Sequence, residues 1–154
     1  MTRLAIGHAA PDFEMAADDG SVVSSASLAG SRYVLYFYPK DDTPGCTNQA
    51  CSLRDSWSRL TETDARVFGV SPDSVKSHVK FREKYALPYR LLSDEGHRVA
   101  DAYGVWVQKK FMGREYMGVE RSTFVVGPNG EIEHVLAQVK PDEHVDRLLE
   151  ALTA

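Results

Sequence analysis

The hydrophobic and polar positions along the chain sort it into strands and helices. The apolar stretch from Arg32 to Tyr38, densest over Tyr33-Val34-Leu35-Tyr36-Phe37-Tyr38, predicts a buried strand. Pro39 closes it, because proline cannot continue a central ladder. After a polar loop, Thr43 at the N-cap and Pro44 at the first position open a helix predicted to run to about Glu62. Leu53, Trp57 and Leu60 are spaced to face a core there, while Arg54, Asp55 and Arg59 lie off that face. Arg66–Ser71 predicts a second buried strand, and Ser71-Pro72-Asp73 a capped restart into a helix through Val75, Val79 and Tyr85. That helix must stop before Leu87-Pro88, because the residue before a proline resists helix.

Leu91-Leu92 reads as a short strand, and Ser93-Asp94 as the cap of a helix ending near Tyr103-Gly104. Upstream, Phe13–Ala16 and Val22–Ser24 flank Asp18-Asp19-Gly20, whose turn chemistry predicts a hairpin. Downstream, Arg121–Val126 and Ile132–Ala137 form strands joined by a turn at Pro128-Asn129-Gly130. Pro141–Leu152 is an amphipathic helix using Val145, Leu148, Leu149 and Leu152. Val105–Gly118 is polar, glycine-punctuated and without a clear period. Its Phe111, Met112, Tyr116 and Met117 could line an entrance or partner surface, or pack back on the core. Strands that alternate with helices first and pair as a hairpin later predict an α/β chain with a mixed central sheet flanked by helices.

Composition narrows the function. A chain of 154 residues without linker or repeat reads as one domain, 1–154, with one core. Its 18 basic and 22 acidic residues give a net charge of −4 with no basic block, which argues against a nucleic-acid partner. No apolar run approaches the roughly 20 residues of a membrane span, and the start, Met1 to His8, lacks a leader's apolar segment. The expected location is cytoplasmic. His8, His78, His97, His134 and His144 are scattered at no ligand spacing from either cysteine, and each reads as a surface or locally satisfied histidine. No metal or cofactor is expected.

The chemistry concentrates in Pro39-Lys40-Asp41-Asp42-Thr43-Pro44-Gly45-Cys46-Thr47-Asn48-Gln49-Ala50-Cys51, which holds both cysteines. Cys46 falls in the first turn of its predicted helix, where unpaired amides carry partial positive charge and favour thiolate over thiol. Two cysteines this close in a reducing compartment are more often catalytic or metal-binding than structural. Lys40, Asp41 and Asp42 read as solvated loop charges.

The pattern Pro39-x-x-x-Thr43-x-x-Cys46, with Cys51 five residues on and Arg121-Ser122-Thr123-Phe124 far downstream, resembles the peroxiredoxins. More narrowly it is similar to the peroxiredoxin Q, or bacterioferritin comigratory protein, group. The likeness extends from Gly7-x-x-Ala10-Pro11-Asp12-Phe13 through Tyr116-Met117-Gly118-Val119-Glu120-Arg121 to the last helix. It implies a thioredoxin-like fold with an added N-terminal β-hairpin. It also implies a thiol peroxidase in antioxidant defence, acting on hydrogen peroxide and organic (alkyl) hydroperoxides, commonly as a monomer.

Within that resemblance, Cys46 attacks the peroxide, Thr43 hydrogen-bonds it, Arg121 stabilises thiolate and peroxide oxygens, and Pro39 shields the sulfur. The sulfenic acid formed would condense with a nearby thiol, and Cys51 is the other thiol of the chain. Five residues on an ideal helix separate two side chains by about 140° and about 7.5 Å along the axis. A disulfide needs Cα atoms within about 7 Å, so the helix must unwind locally before the bond forms. Thioredoxin, or a similar thiol donor, is the implied reductant. Three other readings compete: a thiol-disulfide oxidoreductase, although four residues rather than two separate the cysteines; a redox-sensing binding module; and a structural thioredoxin-like domain, which leaves Thr43, Cys46 and Arg121 unexplained.

Overall fold

The computed structural model describes residues 4–153. Met1–Arg3, where the segment read as lacking a leader begins, and Ala154 lie outside the described residues. Chain order is β1 (Glu14–Ala17), β2 (Val22–Ser24), a 3-10 turn (Ala26–Leu28), β3 (Tyr33–Phe37), α1 (Pro44–Asp55), α2 (Trp57–Thr61), β4 (Arg66–Ser71), α3 (Val75–Tyr85) and β5 (Arg90–Ser93). There follow α4 (Arg98–Ala102), β6 (Trp106–Phe111), β7 (Arg114–Val119), β8 (Ser122–Val126), β9 (Ile132–Leu136) and α5 (His144–Thr153). Seven strands form one sheet in the order β2-β1-β5-β4-β3-β8-β9. Strands β3, β4 and β5 are parallel, and the other pairings are antiparallel, so the sheet is mixed as the sequence predicts.

β3 is buried along its whole length because both faces of the sheet are covered. Val34, Tyr36 and Tyr38 point to a core shared with Cys46, Ala50 and Leu53 of α1, Leu60 of α2, Phe81 of α3, and Leu148, Leu149 and Leu152 of α5. Tyr33, Leu35 and Phe37 point to the opposite core, with Phe13, Leu28, Val99, Tyr103 and Phe124. The turn at Asp18-Asp19-Gly20 joins β1 to β2, as expected. Among the described residues no helix is long and apolar enough to cross a membrane.

Several boundaries differ from the sequence reading. The helix predicted to reach Glu62 breaks at Ser56 (φ −107°, ψ 17°), which separates α1 from α2. The cap of α3 is Ser74, whose hydroxyl accepts from the Ser77 amide, rather than Ser71. The N-cap of α4 is His97 rather than Ser93 or Asp94, but after a turn at 95–97 the Asp94 carboxylate still accepts from the first-turn amides of Val99 at 3.0 Å and Ala100 at 2.8 Å. The last helix begins at His144 rather than Pro141. The stretch 105–118, unassigned from sequence, is a second hairpin, β6–β7, in register from Trp106↔Val119 to Phe111↔Arg114. Its turn places Met112 and Gly113 at positive φ, the arrangement two-residue hairpins favour. The base of this hairpin packs on the body through Val119 and through Trp106, which stacks on His97 at 3.9 Å. The tip residues Phe111 and Met112 are 66% and 87% exposed, so they do not pack back on the core.

Candidate active site

The parallel pair β3–β4 and the antiparallel strand β8 bring two distant segments to one edge. α1 begins there just after β3, and Arg121 stands at the entry to β8, which pairs with β3. Cys46, the third residue of α1, is buried and reduced. Its sulfur accepts a hydrogen bond from Arg121 Nη2 at 3.3 Å. A Cβ on Gly45 would stand 3.3 Å from that same nitrogen, so glycine there leaves room for the guanidinium.

Gln49, one helical turn beyond Cys46, was not singled out by the sequence reading. It is fully buried, and its Oε1 accepts from Arg121 Nη1 at 2.5 Å, while its Nε2 has no protein partner. The guanidinium only donates, so one nitrogen is oriented by Gln49 while the other meets the sulfur. The available signal was positional: a residue three after Cys46 shares its face of the helix.

Thr43 occupies the N-cap position, but its hydroxyl does not cap the helix. Oγ1 donates to Lys40 O at 2.9 Å, and the Thr47 amide is satisfied by the Thr43 carbonyl. Having given its hydrogen to Lys40, the hydroxyl retains lone pairs that can accept from a substrate O–H. Pro39 is half-buried just after Tyr38, where the Tyr38 amide still bonds to Val70 O and ends the ladder. Cys51 is half-buried and reduced, on the same unbroken helix as Cys46.

The loop charges need a correction. Asp41, read as solvated, is 7% exposed and accepts from Tyr38 Oη at 2.5 Å and Ser77 Oγ at 2.8 Å, with His78 Nδ1 at 2.7 Å. His78 is locally satisfied as expected, its other nitrogen meeting Leu92 O at 2.9 Å. The loop before Cys46 is thus fastened to the first turns of α3. Asp42 does face solvent, and its carboxyl is held below the usual range by Lys84 and Tyr85.

His144 sits behind the site, its Nε2 2.7 Å from Thr123 Oγ1 and its ring 5.5 Å from that of Tyr36. Burial, and then the charges of Arg121 and Arg147, push it down to about 3, so it is neutral at physiological pH. Burial also lowers Lys109 of β6, and the charge of Arg121 adds to this while Cys46 opposes it. Burial raises the phenols of Tyr36 and Tyr38 strongly. Among the described residues no group of three or more His, Cys, Asp or Glu side chains is placed to hold a metal ion.

A first-turn cysteine facing an oriented guanidinium is an arrangement suited to thiol chemistry. The AhpC/TSA family profile matches residues 6–135, and the chain belongs to that family. It is 48% identical to Peroxiredoxin Bcp of Bacillus subtilis (strain 168) over 147 residues, covering 96% of this chain and 94% of the relative. A mutant PrxQ from Xylella fastidiosa superposes with a TM-score of 0.92 at 30% identity, covering 99% and 98% of the two chains. The bacterioferritin comigratory protein of Xanthomonas campestris, solved in trapped intermediate/ligand complexes bearing on alkyl peroxide reduction, superposes with a TM-score of 0.88 at 34% identity, covering 97% and 96%. The fold is that of the thioredoxin-like peroxiredoxins, and the chain is a thiol peroxidase of the Bcp/PrxQ kind.

Proposed function

We propose that Cys46 is the peroxidatic nucleophile, that Cys51 resolves it, and that hydrogen peroxide and alkyl hydroperoxides are the substrates. The observation that carries this reading is the Arg121 Nη2 to Cys46 Sγ bond of 3.3 Å. A permanent cation on the sulfur favours its negative charge and remains beside it for the oxygens of an incoming peroxide. The sulfur attacks one peroxide oxygen, the O–O bond breaks, and the other oxygen departs with its electron pair and takes a proton as water or alcohol. Fixed donors around that departing oxygen lower the barrier. Arg121, oriented by Gln49, supplies them, and the free lone pairs of Thr43 accept the peroxide hydrogen. In this reading Pro39, half-buried beside Tyr38, shields the sulfur.

Cys46 is left as a sulfenic acid, which condenses with Cys51 to a disulfide. Both residues lie on α1, so no second copy is needed, and the reading is of a single-domain monomer. The bond requires α1 to open locally. Its first two turns bury only Cys46, Gln49 and Ala50, with Leu53 the first large aliphatic side chain, so opening there sacrifices little apolar contact. The exposed disulfide is then reduced by thioredoxin or a similar protein thiol, which fits a cytoplasmic setting.

The test is peroxide consumption coupled to a thioredoxin system. Cys46→Ser is expected to abolish turnover, and Cys51→Ser to give one fast oxidation without a thioredoxin-driven cycle. Retained peroxidase activity in Cys46→Ser would overturn the reading. Single oxidation without turnover in the wild type would favour a redox sensor instead.

A further inference from the structure

The second chemical step asks more of Cys51 than a helix terminus can give. Its thiol proton must leave, its sulfur must attack the Cys46 sulfenic sulfur, and the S–O bond must break as hydroxide departs and is protonated to water. Cys51 is the eighth residue of α1, beyond the reach of the first-turn amides that serve Cys46. A cation held elsewhere can ease that attack.

Arg54 stands three residues on, so its Cβ neighbours that of Cys51 on one helix face at about 5–6 Å. Its side chain is not free to wander: Nη1 donates to Tyr85 O at 2.7 Å and Nε to Asp55 Oδ1 at 3.0 Å. We infer that Arg54, tethered to the Tyr85 carbonyl, is a positioning residue for resolution that steadies negative charge on the Cys51 sulfur as it attacks. This rests on the Cys46 and Cys51 roles proposed above.

The surroundings support it. Arg54 is held protonated first by its bond to Asp55, against a smaller desolvation effect, and further by the charge of Cys51. Tyr89, from the segment before β5, donates to Ala50 O at 3.2 Å, and burial keeps its phenol neutral, so it brings no competing charge. Asp55 is the opposing anion and is largely exposed, while Asp42 and Lys84 neutralise each other beside the Tyr85 hydroxyl. The bonds from Tyr89 and to Tyr85 also dock residues 50–54 on the body of the protein. Opening from the Pro44 end then carries Cys46 towards a Cys51 that keeps Arg54 beside it.

The experiment is stopped-flow oxidation of the full chain with excess hydrogen peroxide, following Trp57, whose ring lies 5.5 Å from that of Tyr89. In Arg54→Gln, disulfide formation is expected to slow about tenfold at pH 7, with the deficit shrinking towards wild type above roughly pH 9, where thiols ionise unaided. Arg54→Lys should recover most of the rate. A deficit that is the same at every pH, or none, would overturn the inference. Alkylation of Cys51 by iodoacetamide in the Cys46→Ser background provides a second readout that needs no peroxide chemistry. Adding Arg54→Gln there should slow alkylation severalfold at pH 7, and unchanged alkylation would sink the inference while leaving the Cys46 reading intact.

Discussion

Arg121 and Cys46, 75 residues apart in sequence, meet through one guanidinium N–H and one sulfur at 3.3 Å. The contact exists because β8 pairs with β3 antiparallel, Phe37 opposite Ser122, which brings the entry of β8 to the loop that leads from β3 into α1. Gln49 then fixes which nitrogen faces the sulfur.

Removing the Arg121 donors is predicted to reduce the second-order rate with peroxide by about 10²-fold or more, in line with the loss of a preorganised donor at a developing oxyanion. Arg121→Gln tests this in single-turnover stopped flow. Gln49→Ala, which keeps the cation but frees it to turn, should lose about tenfold. Equal losses in the two variants would mean that orientation rather than charge dominates.

His144 predicts an acid-side loss of stability. Its folded value of about 3 lies below the ordinary 6.5, so the unfolded chain binds the extra proton between those two values. Stability tied to neutral His144 is therefore intact above about pH 6.5 and falls by about 1.4 kcal/mol per unit as pH drops towards 3. In urea unfolding from pH 7 to pH 5, the wild type should lose about 2 kcal/mol more than His144→Asn. Parallel curves would contradict the assignment.

Asp41 anchors the loop before Cys46, and Asp41→Ala leaves the Tyr38 and Ser77 hydroxyls and His78 without their shared acceptor. The expected cost is about 3–5 kcal/mol in denaturant unfolding, the range for breaking a buried polar cluster at one partner. A change below about 1 kcal/mol would return Asp41 to the class of ordinary loop charges.

Gly69 in β4 has no room for a side chain. A Cβ there would stand 2.8 Å from Leu91 Cδ2 and from Tyr36 Cζ and Oη. Gly69→Ala should cost about 1–3 kcal/mol by overpacking. It should also disturb the 2.7 Å Tyr36–Tyr89 hydroxyl bond, and with it the Tyr89 bond to Ala50 O. Thermal melting measures the first effect, and amide exchange in α1 the second.

Features whose signal is contiguous were legible in the sequence. The apolar run of β3, the closing Pro39, and the Thr43-Pro44 start that puts Cys46 in a first turn are all local chemistry. Arg121 could be picked out only through resemblance, since an arginine before a strand looks like any exposed edge residue. Gln49 and Asp41 look solvated by type and are buried only because Arg121 and α3 reach them from 72 and 36 residues away. The β6–β7 hairpin has only a weak sequence signal because its turn uses Met112-Gly113 in place of Asn-Gly. The break at Ser56 carries no proline or glycine to announce it.

The most direct measurement is amide exchange with peptide mass mapping after one equivalent of hydrogen peroxide. The account predicts a Cys46–Cys51 crosslink, loss of protection at the amides of residues 47–51, and full protection retained in β3 and β8. Unmodified Cys46, or a crosslink formed with α1 protection unchanged, would contradict it.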